Sequence, residues 1–151
     1  MNKVDFIAAV LPGALLAQKR FGIPASVTIA QGALESGWGA SRLATQGFNL
    51  FGVKADAAWR GPVLSLSTTE YVGGKPVAVL AKWRKYGSWT EAIEDRSAFL
   101  RMNKRYAGAF GQLGEAFARA LALAGYATDP NYADKVIAVM HSNNLTQYDK
   151  A

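Results

Sequence analysis

The segment FGIPASVTIAQGALESGWGAS, residues 21–41, contains the most informative helix pattern of this sequence. Gly22 ends the preceding helix, Pro24 opens the next one, and an apolar run then continues to about Glu35. Glu35 stands between that run and a cluster of Gly, Ser and Trp. Two interpretations stay open: a desolvated acid that keeps its proton for catalysis, or an ordinary carboxylate at a helix end.

Composition restricts the chemistry that the chain can perform. Its 151 residues, half of them hydrophobic, suit a single domain over residues 1–151, and no apolar run is long enough to span a membrane. With no cysteine and one histidine, His141, the sequence excludes disulfides, thiol nucleophiles and zinc sites built from Cys and His. A Ser-His-Asp triad would need His141, which follows a helical pattern, and the chain has no G-x-S-x-G elbow. The catalytic candidates are therefore mainly carboxylates and tyrosines.

The net charge of +6 is spread evenly over the two halves of the chain. Such a charge favours a polyanionic partner: a membrane surface, an envelope polymer or nucleic acid. A nucleic-acid-binding module usually concentrates its basic residues on one face or arm, so we expect no nucleic-acid partner. One local basic run, RMNKRY at 101–106, is interpreted as a solvated helix end.

The N-terminal segment MNKVDFIAAVLPGALLAQKRF has features of a secretory signal, with an early lysine and a following apolar run. Asp5 adds a negative charge where a signal carries positive ones, and Pro12 interrupts the run. We therefore expect a structural first helix with Phe6, Val10 and Leu16 along one side, kinked or restarted at Pro12. A secretion signal is disfavoured.

A β-hairpin is predicted in the segment VLSLSTTEYVGGKPVAVLAKW, residues 63–83. Its strands are rich in β-branched residues, and Gly73 and Gly74 form a favourable two-residue turn. Before the hairpin, residues 37–61 are rich in Gly and aromatic residues and predict an ordered loop with one short helix.

Further helices are predicted after the hairpin. A capping box from Ser88 to Glu91 opens the first of them, and GEAFARALALAG forms another amphipathic helix. The last helix is expected to be capped by Thr128 or Asp129, with Pro130 in its first turn. The chain thus reads as one α+β domain, mostly helical, with a β-hairpin lobe.

Two carboxylates on different elements are the strongest catalytic candidates. Glu70 comes three residues before Gly73 and shares a strand face with Leu64 and Leu66. Glu35 and Glu70 would flank the Gly- and aromatic-rich loop, a layout that glycoside hydrolysis uses: one acid protonates the leaving oxygen and the other supports the second half of the reaction. For Glu70 the alternative is a charge that protects an edge strand from pairing.

Three aromatic residues, Trp38, Phe51 and Tyr71, are candidates for stacking on sugar rings near such a cleft. Trp38 and Phe51 have an equally open alternative, because aromatic side chains in a small domain are most often part of the core.

Four segments carry a family resemblance: IPASVTIAQGALESGWGASRLA, NLFGVKA, TTEYVGGKPVAVLAKWRKYGSWTEAIEDRSAFL and AGYATDPNYADKV. Together they resemble the peptidoglycan-hydrolysing glucosaminidase domain of glycoside hydrolase family 73, which occurs in flagellar-rod muralytic proteins and phage endolysins. The resemblance runs in order from about Phe6 to Asn143. TTEYVGG followed by GYATDPNYA is its most specific part.

The resemblance implies an α+β, lysozyme-like fold, in which a mainly helical lobe and a small β-hairpin lobe flank a glycan groove. By it, Glu35 matches the general acid and Glu70 the acid of the β-lobe. Tyr126 matches a tyrosine near the cleft, with core packing as its alternative, and Asn49 and Phe51 match a loop that binds substrate.

The implied function is an endo-β-N-acetylglucosaminidase that cleaves the β-1,4 bond after N-acetylglucosamine and serves as a bacteriolytic, antimicrobial phage endolysin. The alternative is an N-acetylmuramidase or lytic transglycosylase that acts as a wall-remodelling autolysin. We expect no metal and no cofactor, and a monomer whose partners are peptidoglycan strands and an anionic envelope surface. The protein is expected to be made in the cytoplasm and to act on periplasmic peptidoglycan.

Overall fold

The computed structural model describes residues 1–150, and within them the side chain of Glu70 lies outside the described part. The described residues form six α-helices and two strands. In chain order these elements are α1 (Lys3–Phe21), α2 (Ala25–Ser36), α3 (Arg42–Gln46), β1 (Val63–Val72), β2 (Lys75–Arg84), α4 (Trp89–Met102), α5 (Gly114–Leu123) and α6 (Tyr132–Ser142). Two short 3-10 helices span Lys104–Ala109 and Leu145–Lys150. The predicted mainly helical α+β architecture with one hairpin is confirmed.

Helix α2 is the centre of the core. Ten of its twelve residues are buried, and α1, α5, α6 and the C-terminal 3-10 helix all pack against it. At its C-terminal end Gly37 adopts a φ of 58°, and the Ser36 hydroxyl donates to the Gly32 carbonyl at 2.6 Å while accepting the Gly39 N–H at 2.8 Å. Glu35 is therefore carried on a helix whose body is buried and whose end is held firmly.

Helix α1 is continuous through Pro12, so the predicted restart at that residue is wrong. Phe6 and Val10 are buried as expected, but Leu16 is 45% exposed. At about 100° per residue, Leu16 lies roughly 80° from Phe6 on the side away from the core, and Ala17 takes the buried position instead.

The N-terminal end of α2 is capped from the other end of the chain. Pro24 offers no side-chain cap, and the carboxylate of Asp149 accepts both the Ser26 N–H at 2.8 Å and the Ser26 hydroxyl at 2.6 Å. This satisfies a backbone donor that the helix itself leaves unpaired. The last turn of the chain thereby stabilises the helix that carries Glu35.

We expect Asp149→Ala to lower the free energy of unfolding by about 1–2 kcal/mol, the usual loss for a helix N-cap. Urea denaturation followed by circular dichroism measures it. Asp134→Ala is the matched control, because Asp134 is exposed and its contact to Arg119 is long, 3.4 Å; it should change stability by less than about 0.5 kcal/mol. Equal effects of the two substitutions would refute the capping role.

Strands β1 and β2 form an antiparallel hairpin in which Val63 pairs with Arg84 and Val72 with Lys75. The turn residues Gly73 and Gly74 have φ values of 59° and 79°, as the predicted two-residue turn requires. Away from the tip, alternate residues of each strand are half-buried, whereas both strands are exposed next to the turn.

The last helix begins two residues later than a cap at Asp129 predicts, and three later than a cap at Thr128 predicts. Helix α6 begins at Tyr132, after the N-cap residue Asn131, which makes no side-chain cap. Asp129 accepts the Asn131 N–H at 2.8 Å and the Lys135 ammonium at 2.5 Å. That local turn delays the helix, and it makes Tyr132 the first residue of α6.

In the described part of the chain, no helix combines the length and the hydropathy that crossing a membrane requires.

Candidate active site

Glu35 lines a cavity of about 410 Å³ between the helical body and the base of the hairpin. The wall opposite α2 comes from α4, through Asp95 and Arg96, and from the segment after α5, through Tyr126. Phe51 also lines the cavity. The structure thus brings Glu35, Phe51 and Tyr126 together as predicted neighbours of one cleft.

The pKa of Glu35 is raised above the ordinary range of a glutamate. Glu35 is an exposed residue that faces the cavity, but neighbouring protein partly desolvates its carboxylate, and this desolvation is the main cause of the raised pKa. Hydrogen bonding from Tyr132 and the positive charge of Arg96 lower the pKa in part. Since desolvation outweighs these two effects, Glu35 keeps its proton to a higher pH, as a general acid must.

A chain of hydrogen bonds leads from α4 to Tyr132, the tyrosine that lowers the pKa of Glu35. Arg96 Nη1 donates to Gln31 Oε1 at 2.6 Å, and Gln31 Nε2 donates to the Tyr132 hydroxyl oxygen at 3.0 Å. The Tyr132 hydroxyl accepts this bond and keeps its own proton available for donation, in keeping with its lowering of the pKa of Glu35. We call Arg96, Gln31 and Tyr132 the positioning chain.

Arg96 is 2% exposed, and its guanidinium lies 4.0 Å from the centre of the Phe51 ring. It also donates to the Tyr126 hydroxyl at 3.2 Å. Its Nε and Nη2 atoms are buried without a hydrogen-bond partner among the described residues. The stacking on Phe51 compensates in part for the burial of this charge. The same positive charge lowers the pKa of Glu35.

The sequence analysis missed all three residues of the positioning chain. One signal was present: Gln31 precedes Glu35 by one helical turn and so shares its side of α2. No local pattern indicates that Arg96, 65 residues further along, meets Gln31.

In the Tyr132→Phe variant, the fall of kcat at high pH is expected to occur at a higher pH than in wild type. The substitution removes the hydrogen bond that lowers the pKa of Glu35, so the acid stays protonated over a wider range. The pH profile of kcat on purified peptidoglycan measures the shift. In the control Tyr126→Phe the lost hydroxyl contacts Arg96 instead, so we expect a milder loss of activity and no shift. A fall of kcat at the same pH in Tyr132→Phe as in wild type would contradict the assignment.

Asn49 is engaged by the backbone around it. It is 1% exposed, its amide nitrogen donates to the carbonyls of Val53 and Arg84 at 2.9 Å each, and its oxygen accepts the Val53 N–H at 3.0 Å. Both N–H donors and one of the two acceptor positions of the amide are occupied by backbone. Asn49 therefore holds the loop below the cavity in shape, and its predicted contact with the substrate stays a prediction.

Trp38 and Tyr71 do not line the cavity that contains Glu35. Trp38 packs edge-on against Phe6 with ring centres 5.6 Å apart, and the Lys3 ammonium lies 5.0 Å from its ring. Tyr71 is 75% exposed near the tip of the hairpin. The geometry therefore favours the core alternative for Trp38.

Glu70 pairs with Val77 across the hairpin, three residues before Gly73. Its side chain lies outside the described residues, so its predicted catalytic role stays a prediction.

Asp95 is a second carboxylate in the cavity that the sequence analysis did not single out. It accepts hydrogen bonds from the Tyr86 hydroxyl at 2.6 Å and from Arg84 Nη1 at 2.8 Å. Burial first, and the bond to Asp95 second, raise the pKa of Tyr86, which keeps the phenol protonated as the donor. These contacts make Asp95 a fixed part of the wall.

A larger cavity, about 650 Å³, lies between α5 and the C-terminal segment. Both acids that line it are engaged elsewhere: Asp149 caps α2, and Glu115 bonds to His141. His141 is a surface residue of α6, as predicted. In the part of the chain that the structure describes, no three His, Asp or Glu side chains gather closely enough to hold a metal ion.

A buried helix that presents a glutamic acid of raised pKa to an open cleft, beside a β-hairpin, defines a lysozyme-like glycoside hydrolase. The model of the glucosaminidase family, described as mannosyl-glycoprotein endo-beta-N-acetylglucosaminidase, matches residues 11–145. This chain belongs to that family, glycoside hydrolase family 73, and the predicted membership is confirmed.

Known proteins show the same relationship over nearly the whole chain. Peptidoglycan hydrolase FlgJ of Salmonella typhimurium is 45% identical over 141 residues, which cover 90% of this chain and 45% of the relative. Exo-glucosaminidase LytG of Bacillus subtilis is 38% identical over 152 aligned residues, covering 96% of this chain and 53% of LytG. This chain thus spans about half the length of the curated relatives it matches.

The solved glycoside hydrolase domain of Salmonella typhimurium FlgJ, in a C-terminally truncated form, superposes with a TM-score of 0.82 at 42% identity. The superposition covers 95% of this chain and 98% of that domain. The lysozyme-like α+β fold expected from the resemblance is thereby confirmed.

Proposed function

We propose that this domain hydrolyses the β-1,4 bond after N-acetylglucosamine within peptidoglycan strands, as an endo-β-N-acetylglucosaminidase. The observation that carries the proposal is Glu35, an acid of raised pKa that opens into the cleft of a glucosaminidase-family domain. The similarity to a relative named as a peptidoglycan hydrolase supports the choice of substrate.

Glu35 gives its proton to the glycosidic oxygen as the bond between that oxygen and C1 of the N-acetylglucosamine breaks. Positive charge develops on the sugar, and water finally adds its oxygen to C1. A second group supports the charge or activates the water. The proton of that water goes to Glu35 if the second group supports the charge, or to the second group if it activates the water, and solvent then reprotonates Glu35. We propose Glu70, brought from the hairpin; the acetamido group of the sugar is the alternative.

The extent of the groove supports cleavage inside strands. The cavity at Glu35 shares Ala127 and Thr128 with one neighbouring cavity. It shares Arg84, Asp95 and Phe99 with another. A binding surface that extends beyond the cavity of the acid accommodates a polymer.

Digestion of purified peptidoglycan, followed by borohydride reduction and mass spectrometry of the fragments, tests this function. Reduced N-acetylglucosamine at the new ends, on fragments of mixed length, is the expected result. Reduced N-acetylmuramic acid would show a muramidase, and anhydromuramyl ends would show a lytic transglycosylase. Early release of single terminal sugars would show exo action, the activity for which LytG is named.

For the biological setting we propose a bacteriolytic phage endolysin, made in the cytoplasm, that acts as a monomer on periplasmic peptidoglycan. The net charge of +6 supports approach to an anionic envelope. Lysis of expressing cells only when a pore-forming protein is co-expressed is the expected result. Slow growth defects without lysis would favour the alternative, a wall-remodelling autolysin.

A further inference from the structure

The basic run at 101–106 borders the groove. Next to Asp95 lies a shallow, open depression of the surface, which Phe99, Met102, Asn103 and Lys104 also line. Asp95 and Phe99 line both this depression and the cavity at Glu35. The end of α4 and the residues after it therefore form an outer extension of the active-site groove and not merely a solvated helix end.

This outer extension combines apolar surface with one available positive charge. Phe99 is 52% exposed and Met102 is 82% exposed, although both are large and apolar. Lys104 forms no ion pair with the acids that the structure describes. The charge of Asp95 is already balanced by Arg84 at 2.8 Å.

The other basic residues of the run are engaged with aromatic rings. The Arg101 guanidinium lies 4.3 Å from the centre of the Phe110 ring, and that of Arg105 lies 5.9 Å from the centre of the Tyr106 ring. Lys104 is therefore the cation of this run that lines the groove.

The neighbouring cavity next to Ala127 and Thr128 offers no unbalanced charge. Asp129 and Asp134 line it, but Asp129 pairs with Lys135 at 2.5 Å and Asp134 with Arg119 at 3.4 Å. Lys104 has no such partner among the described acids, so an anionic group attached to the substrate is favoured at the Lys104 end.

The sugars of a peptide-bearing strand are uncharged, because the lactyl carboxyl of N-acetylmuramic acid is bound to the peptide as an amide. In peptidoglycan the carboxylates belong to the stem peptides, which are attached through the lactyl group of every second sugar and which also carry aliphatic side chains. Such a peptide matches a surface that offers one ammonium group beside Phe99 and Met102.

We propose that the outer extension binds the stem peptide of a muramyl residue near the cleaved bond, with Lys104 pairing with a peptide carboxylate. This inference rests on the proposed function, because it names the part of the same substrate that this end of the groove recognises. The glycan then occupies the groove at Glu35, and the peptide adds affinity outside it.

The test compares peptide-bearing strands with strands whose peptides have been removed by an amidase and whose freed lactyl carboxylates have been converted to neutral amides. The measured quantity is the ratio of kcat/KM on the two substrates. Wild-type protein is expected to favour peptide-bearing strands. Lys104→Glu replaces an attraction by a repulsion at an exposed position, so the ratio should fall by about 3- to 10-fold, mainly through KM.

Lys19→Glu is the matched control, since it makes the same charge change on the exposed end of α1; its ratio should equal that of wild type. If Lys104→Glu leaves the ratio unchanged, the inference is overturned. An unchanged ratio with an equal loss of kcat/KM on both substrates would indicate a general attraction to an anionic envelope polymer.

A binding experiment separates this inference from the proposed reaction. A soluble muramyl peptide, titrated into the Glu35→Gln variant by calorimetry, should bind more weakly after Lys104→Glu is added. Failure of wild-type protein to cleave either strand would refute the proposed function, whereas equal binding with and without Lys104 would refute the stem-peptide site alone.

Discussion

Replacing Glu35 by glutamine is expected to lower kcat on purified peptidoglycan by about 100-fold or more, the usual range for loss of a general acid. The amide has nearly the same shape as the carboxylic acid but cannot donate an acidic proton. Release of reducing ends from purified peptidoglycan measures the effect. Residual activity above about a tenth of wild type would contradict the assignment, because even the low end of the range predicts less.

The Glu35→Gln variant should be at least as stable as wild type at neutral pH. Burial raises the pKa of Glu35 in the folded state, so the unfolded chain loses this proton first as the pH rises. The contribution of Glu35 to stability is therefore complete at low pH and is lost as the pH rises towards its folded pKa. Melting temperatures across that range measure this, and a less stable variant at neutral pH would show a structural role instead.

Glu94→Gln is the matched control for this experiment. Glu94 lies outside the cavity and forms an exposed pair with Arg20 at 2.6 Å. Exposed pairs contribute little, so this variant should keep full activity.

Replacing Glu70 by glutamine is expected to lower kcat by at least about 10-fold, while the melting temperature stays within a degree or two of wild type. A carboxylate that supports the sugar cation or activates water loses that ability as an amide. The backbone of Glu70 is near the end of a hairpin whose tip is exposed on both strands. Substitutions at such positions usually change stability by less than about 0.5 kcal/mol.

Initial rates on peptidoglycan and thermal melts of the same samples separate the two interpretations of Glu70. A lower melting temperature with preserved activity would show that Glu70 protects an edge strand and takes no part in the reaction. Full activity at unchanged stability would leave the acetamido group of the substrate as the second participant.

The features that could be read from the sequence are those set by neighbouring residues. Gly22 ends α1, Gly73 and Gly74 form the hairpin turn, and the Ser88 hydroxyl accepts the Glu91 N–H at 3.2 Å, all as predicted. Each depends on backbone conformation or on hydrogen bonds that span a few positions. The placement of Glu35 at the end of a buried helix follows from the same local pattern.

Predictions about individual side chains were less accurate, because packing partners come from distant parts of the chain. For Trp38 the sequence left stacking on sugar and core packing equally open, and Asn49 was expected to bind substrate; in the structure Trp38 packs on Phe6, and Asn49 bonds to the backbone of Val53 and Arg84. An aromatic ring or a buried amide fits either role until its neighbours are known.

The local patterns of the sequence thus specified the order of the helices and strands and placed Glu35 at the end of α2. Tertiary structure alone determined how that acid is tuned. Arg96 meets Gln31 across 65 positions, and Asp149 reaches Ser26 across 123. Periodicity and turn preferences describe contacts within about one helical turn, whereas these pairings exist only because the core brings α2, α4 and the C-terminal segment together.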